Sequence, residues 1–135
     1  MTQRVIELTD FGAAENMKLI EADIPTPGPG QIVVKNDAIG LNYLDTYFRS
    51  GLYPWPNQEK IKVPGSEGVG HVYALGDGVD FLKEGDKVSY VTPVGAYAEY
   101  ALINAAHAVE LKVKVNDHDV VASTLKGLTT HYLLH

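Results

Sequence analysis

Residues Pro64–Val79 read PGSEGVGHVYALGDGV, and this stretch decides the fold. It carries Gly65, Gly68, Gly70, Gly76 and Gly78, five of the chain's 13 glycines, around a run of β-forming residues. Glycine at that density marks backbone set where a side chain will not fit. Val69–Leu75 is expected to be a strand and Gly76-Asp77-Gly78 a tight turn. Glu67 stands in the middle, a carboxylate among small and apolar neighbours. If it is buried it must be paired, since an isolated buried charge is very costly. A base such as Arg49 or nearby backbone is the expected partner. His71 falls inside the strand and reads as a hydrogen-bonded strand histidine.

Working outward, the flanking segments are short and mostly β. Arg4–Leu8 and Met17–Ala22 read as a hairpin around a turn at Phe11–Glu15. Prolines 25, 27 and 29 with Gly28 and Gly30 then break regular structure. Gln31–Ile39 is a strong strand, rich in β-branched residues. Asp86–Val91, Ala96–Ile103 and Ala108–Leu111 are expected as further strands. Two segments change period. Asn42–Ser50 puts Asn42, Asp45, Thr46 and Arg49 on one helical face and Tyr43, Leu44, Tyr47 and Phe48 on the other, with Gly51 as C-cap. Asp45 and Arg49, at i and i+4, are expected to pair. From Asp117 the pattern is helical again, with Val121, Leu125, Leu128 and Tyr132 as an apolar stripe. Leu52–Lys62, with Pro54, Trp55 and Pro56, reads as an aromatic loop. Many short strands with two helices favour a mainly β, barrel-like fold over a doubly wound sheet.

Composition narrows the function classes. With 135 residues, 45% of them hydrophobic, the chain can bury its own core. A net charge of −6 argues against nucleic acid as a partner. The absence of cysteine rules out disulfides and thiolate metal sites within the chain. The N-terminus lacks the apolar run of a signal peptide, and no stretch approaches the roughly 20 apolar residues of a membrane span. A cytoplasmic location is the expectation. His131 and His135 share a spacing that can bind metal on a helix, but no acidic partner is adjacent, so no metal role is assigned.

A glycine pattern and three further blocks together carry a family resemblance. The pattern is Gly65, Glu67, Gly70, Gly76 and Val79. The blocks are Asn42-Tyr-Leu-Asp45-Thr-Tyr47-Phe-Arg49-Ser-Gly51-Leu-Tyr53-Pro54, then Gly95-Ala-Tyr-Ala-Glu-Tyr100, then Leu125-Lys126-Gly127-Leu128-Thr129-Thr-His-Tyr132-Leu-Leu. In these blocks the chain resembles the medium-chain dehydrogenase/reductase superfamily, and within it the zinc-independent NADPH:quinone oxidoreductases, of zeta-crystallin type. The zinc-dependent members carry histidine where this chain has Ser66 and cysteine where it has Asn42.

The resemblance implies a GroES-like, partly open β-barrel over residues 1–120. Residues 121–135 would begin a helix leading to a Rossmann domain beyond the chain. No strand–GxGxxG–helix unit occurs in these residues. NADPH would be the cofactor, and a quinone or conjugated enone the substrate. The parent enzyme would be a homodimer. Asn42 and Tyr53 would be the catalytic hydrogen-bond donors that polarise a carbonyl in place of metal. Asn42, Lys126, Thr129 and Tyr132 would contact the cofactor. Tyr47, on the apolar face, ranks behind Tyr53. Gly127, in mid-helix, suggests a close approach there. The 135-residue chain alone would be inactive and would tend to self-associate through its last helix. Two other readings stay open: a metal-using alcohol dehydrogenase relative, and a non-enzymatic module of the same fold.

Overall fold

The structure is a computed structural model that describes residues 1–57 and 59–134. In chain order its elements are β1 Thr2–Leu8, β2 Met17–Asp23, β3 Gln31–Gly40, α1 Tyr43–Ser50, β4 Glu67–Leu75, β5 Lys87–Val91, β6 Tyr100–Asn104, β7 Ala108–Glu110 and α2 Asp117–Leu134. Strands β1 and β2 form an antiparallel hairpin. The other five lie in the order β6-β3-β4-β5-β7, with every pairing antiparallel. Residues 97–99, just before β6, join the two sheets. Ile6 N–H donates to Tyr97 O at 2.9 Å, and Glu99 N–H donates to Arg4 O at 3.1 Å. The strands thus wrap into a mainly β, partly open barrel, with β2 and β7 as the outer strands of the two sheets.

The centre of the large sheet follows from the apolar run in β3. Ile32, Val33 and Val34 are all fully buried, as expected of a strand covered on both faces. Ile32 and Val34 pack with Val72, Val88, Tyr90 and Ile103 in the main core. The glycines of β4 serve this close packing. A side chain at Gly70 would run into the Lys35 carbonyl on β3, and one at Gly76 into the Gly28 carbonyl. Gly70 and Gly76 thus approach the chain's own backbone, while Gly65 and Gly68 leave room for the Tyr97 and Tyr90 side chains.

Strand β6 is shorter than its sequence suggests. The expected strand Ala96–Ile103 begins only at Tyr100. Its first residues are committed elsewhere: Ala96 N–H bonds Gly65 O and Tyr97 N–H bonds Pro64 O, at 3.1 and 2.9 Å. Asn36, not singled out from sequence, pins this segment to β3. Its Nδ2 donates to Ala98 O at 2.8 Å, and its Oδ1 accepts the Tyr90 hydroxyl at 2.9 Å. His71 pairs with Asp37 at 2.8 Å, next to a bulge in β3, and so fits its reading as a strand histidine.

Helix α2 packs its first half on β3, β4 and β5. Val121 is buried, the Ser89 and Thr124 hydroxyls are 3.0 Å apart, and Lys87 pairs with Asp117. The second half extends away from the sheet. Leu128, Tyr132, Leu133 and Leu134 are exposed, so the stripe begun by Val121 is only partly covered. Among the described residues nothing lies within 4 Å of where a Gly127 Cβ would be. His135, second of the paired histidines, lies outside the described residues. Among the described residues no helix is long and apolar enough to cross a membrane.

Candidate active site

Three distant segments meet beside the N-terminus of α1. Asn42 is the N-cap residue, with extended dihedrals (φ −129°, ψ 151°). Its side chain is not needed as a cap hydrogen-bond acceptor, since the Asp45 amide donates instead to the Asn42 carbonyl oxygen at 3.1 Å. Asp45 Oδ2 accepts the Asn42 N–H at 3.0 Å, which is half of a capping box. The Asn42 amide therefore turns outward to other elements. Its Nδ2 donates to Glu67 Oε1 at 2.7 Å, and its Oδ1 accepts from Lys126 Nζ at 3.0 Å.

Glu67 is buried to 1% exposure, and its carboxylate is fully engaged. Oε2 accepts the Leu125 amide at 2.9 Å, and the Lys126 ammonium stands 3.7 Å from Oε1. The expectation that a buried Glu67 must be paired holds. Its base is Lys126 rather than Arg49. Gly40, opposite Glu67 in the β3–β4 register, leaves the room: any side chain there would overlap the Glu67 carboxylate. Lys126 lies at the rim, its side chain 58% exposed.

A second buried carboxylate lies behind the first. Asp45 Oδ1 accepts the Ser66 hydroxyl at 2.7 Å, and Oδ2 accepts the Tyr97 hydroxyl at 2.6 Å. The expected Asp45–Arg49 pair is thus replaced. Asp45 faces inward to β4 and the 96–99 segment, while Arg49 Nε donates to Gly12 O at 3.0 Å. Ser66 is fully buried and can also donate to Pro93 O, 3.2 Å away. Burial pushes the Tyr97 phenol far above the usual tyrosine range, and the hydrogen bond to Asp45 and its charge push it further. Tyr97 was missed as a site residue. The signal was an aromatic among Gly95, Ala96 and Ala98, but nothing local named its partner. Asn42, Asp45 and Tyr97, with Met17, Leu41 and Pro64, border a cavity of about 390 Å³.

The remaining sequence candidates lie apart from this cluster. Tyr53 is 44% exposed, and its ring packs on Tyr47 and Phe48 with centroids 5.4 and 5.6 Å apart. Those contacts make it an anchor of the aromatic loop. Thr129 turns its hydroxyl back to Leu125 O at 2.9 Å. Tyr132 is 82% exposed on the free half of α2. The structure thus unites Asn42 with Lys126 and leaves Tyr53, Thr129 and Tyr132 outside that contact. Among the described residues no group of three His, Asp or Glu side chains is placed to hold a metal ion.

Known proteins share this fold and much of this sequence. Residues 28–113 match the sequence family described as the alcohol dehydrogenase GroES-like domain. The quinone oxidoreductase of Pseudomonas aeruginosa is 42% identical over 130 residues, covering 96% of this chain and 39% of that protein. A crystal structure of the Pseudomonas syringae quinone oxidoreductase superposes with a TM-score of 0.92 at 43% identity, over 100% of this chain and 41% of that one. The Escherichia coli quinone oxidoreductase, solved in complex with NADPH, gives a TM-score of 0.83 at 36% identity, over 100% of this chain and 40% of that one. The chain therefore spans about two fifths of the length of these relatives.

Proposed function

Since this chain belongs to the alcohol dehydrogenase GroES-like domain family, we propose that it forms the substrate-side domain of a zinc-independent, NADPH-dependent reductase. Its substrate would be a quinone or an alkene conjugated with a carbonyl. The proposal takes residues 1–120 as the barrel and 121–135 as the start of the connection to a cofactor-binding domain. A cytoplasmic, homodimeric parent enzyme belongs to the same proposal. The observation that carries it is the Asn42 amide, held between a buried carboxylate and an ammonium at the edge of a cavity.

The residues present suit the nicotinamide end of the cofactor. Asn42 keeps one N–H and one acceptor lone pair beyond its two bonds, enough to pair with a carboxamide or a carbonyl. Tyr132 offers an exposed ring for stacking, and Thr129 keeps an acceptor position. Bound NADPH would supply the hydride. The chain's own part is to position the acceptor and to favour charge developing on its oxygen with fixed donors. Asn42 is the first such donor and Tyr53, from the loop after α1, the second. The donor set supports the metal-free form of the reading. Ser66 has its hydroxyl on Asp45, and Asn42 presents an amide.

The test is NADPH oxidation with a panel of quinones and enones, using this chain extended to the full length of its relatives. Turnover is expected, with an Asn42→Ala variant slowed about 100-fold, the usual effect of removing one such donor. Absence of both NADPH binding and turnover would overturn the proposal. Stoichiometric zinc in the active enzyme would overturn its metal-free form.

A further inference from the structure

An asparagine side chain has two ends of nearly the same shape; one donates and the other accepts. Around Asn42 the neighbours remove the choice. Nδ2 lies 2.7 Å from a Glu67 carboxylate oxygen, which accepts, and Oδ1 lies 3.0 Å from the Lys126 ammonium, which only donates. Turning the amide over would set oxygen against carboxylate and N–H against ammonium. Two charge-assisted bonds would become two repulsions. Neither charged partner depends on Asn42 alone: the Lys126 ammonium also stands 3.7 Å from Glu67 Oε1. Glu67 is fixed by the Leu125 amide at 2.9 Å, and Lys126 follows Leu125 on the same helix. The Asn42 backbone is in turn held by Asp45 at 3.0 Å.

We propose that Glu67 and Lys126 are positioning residues that lock the Asn42 amide in one orientation, so that its second Nδ2–H serves as a fixed donor for a carbonyl oxygen in the adjoining cavity. Among the described residues that second N–H has no other partner. The cavity, of about 390 Å³, takes apolar walls from Met17, Leu41 and Pro64. Lys126 acts through Asn42 in this arrangement. The choice of ligand rests on the reductase reading; the lock itself does not.

The lock is testable in the 135-residue chain by ¹⁵N–¹H NMR of the Asn42 side chain. One Nδ2 proton is expected far downfield and slow to exchange, facing Glu67, and the other fast. Lys126→Met should raise exchange of the slow proton at least about tenfold, the scale of one lost charged hydrogen bond. Lys126→Arg should restore the slow proton. Lys126 is largely exposed, so both variants should fold, and an unchanged Leu125 backbone amide checks this. Equal exchange of the two protons in the parent chain, or an Asn42 signal unmoved in Lys126→Met, would overturn the lock. Adding nicotinamide or tetramethyl-1,4-benzoquinone, which has no free ring position for amines to attack, separates the two sources of carbonyl. Whichever shifts the fast proton is the occupant, and no shift with either counts against the carbonyl site. A full-length protein that fails to bind NADPH would remove the reductase reading and leave the lock standing.

Discussion

Replacing Asp45 with alanine separates two accounts of α1. If Asp45 were one half of a surface i, i+4 pair with Arg49, its loss would cost only about 0.3–0.5 kcal/mol. The structure instead gives it three donors: the Asn42 amide at 3.0 Å, the Ser66 hydroxyl at 2.7 Å and the Tyr97 hydroxyl at 2.6 Å. Losing the bond to the Asn42 amide, at the N-terminus of the helix, costs about 1 kcal/mol. Tyr97 loses a charge-assisted bond, but half-burial lets water replace part of it, leaving about 1 kcal/mol. Ser66 can turn to Pro93 O, 3.2 Å away, so it adds little. Relief of a buried carboxylate's desolvation offsets some of this. The expected loss is about 2 kcal/mol, near 8 °C in Tm for a domain of this size. Urea unfolding followed by Trp55 fluorescence and far-UV circular dichroism measures it. Asp45→Asn, which keeps one acceptor and the shape, should lose about half as much. A double-mutant cycle between Asp45 and Arg49 should show coupling near zero. An Asp45→Ala loss below about 0.5 kcal/mol, or clear coupling to Arg49, would refute the inward role.

Two glycines should respond in opposite ways. Gly70→Ala drives a methyl into the Lys35 carbonyl and should destabilise the chain by about 3 kcal/mol or prevent folding, as urea unfolding would show. Gly127→Ala meets nothing within 4 Å in mid-helix and should stabilise by about 0.5–1 kcal/mol. An alkaline titration tests the buried phenols. Tyr90 and Tyr97 both ionise less readily when folded, chiefly through burial. A raised folded pKa means their contribution is complete below the ordinary tyrosine value near 10 and is lost as pH rises beyond it. Stability should therefore fall steeply above about pH 10, and Tyr97→Phe should flatten part of that slope. A stability flat from pH 9 to 12 would contradict the burial of both rings.

Much of the barrel was legible in the chain because its signals are local. The β-branched start of β3, the amphipathic period and Gly51 cap of α1, and the punctuation by proline and glycine all act within a few residues. The start of β6 was not legible, since Ala96 and Tyr97 give their amides to Gly65 and Pro64, and Glu99 gives its own to Arg4, instead of to a β6 ladder.

By itself the sequence determined which groups are available: a glutamate in a glycine block, a serine beside it, an asparagine before the first helix, and a lysine on the last helix. Only the tertiary structure decided their partners. Asn42 meets Glu67 from 25 residues away and Lys126 from 84, while Asp45 reaches Tyr97 across 52. No period spans such distances. The pairings follow from burial: once β4 places Glu67 in the core against Gly40, its charge must be met by the donors that α1 and α2 bring to it. The glycine block that set the fold thus also set the site, through the buried glutamate it encloses.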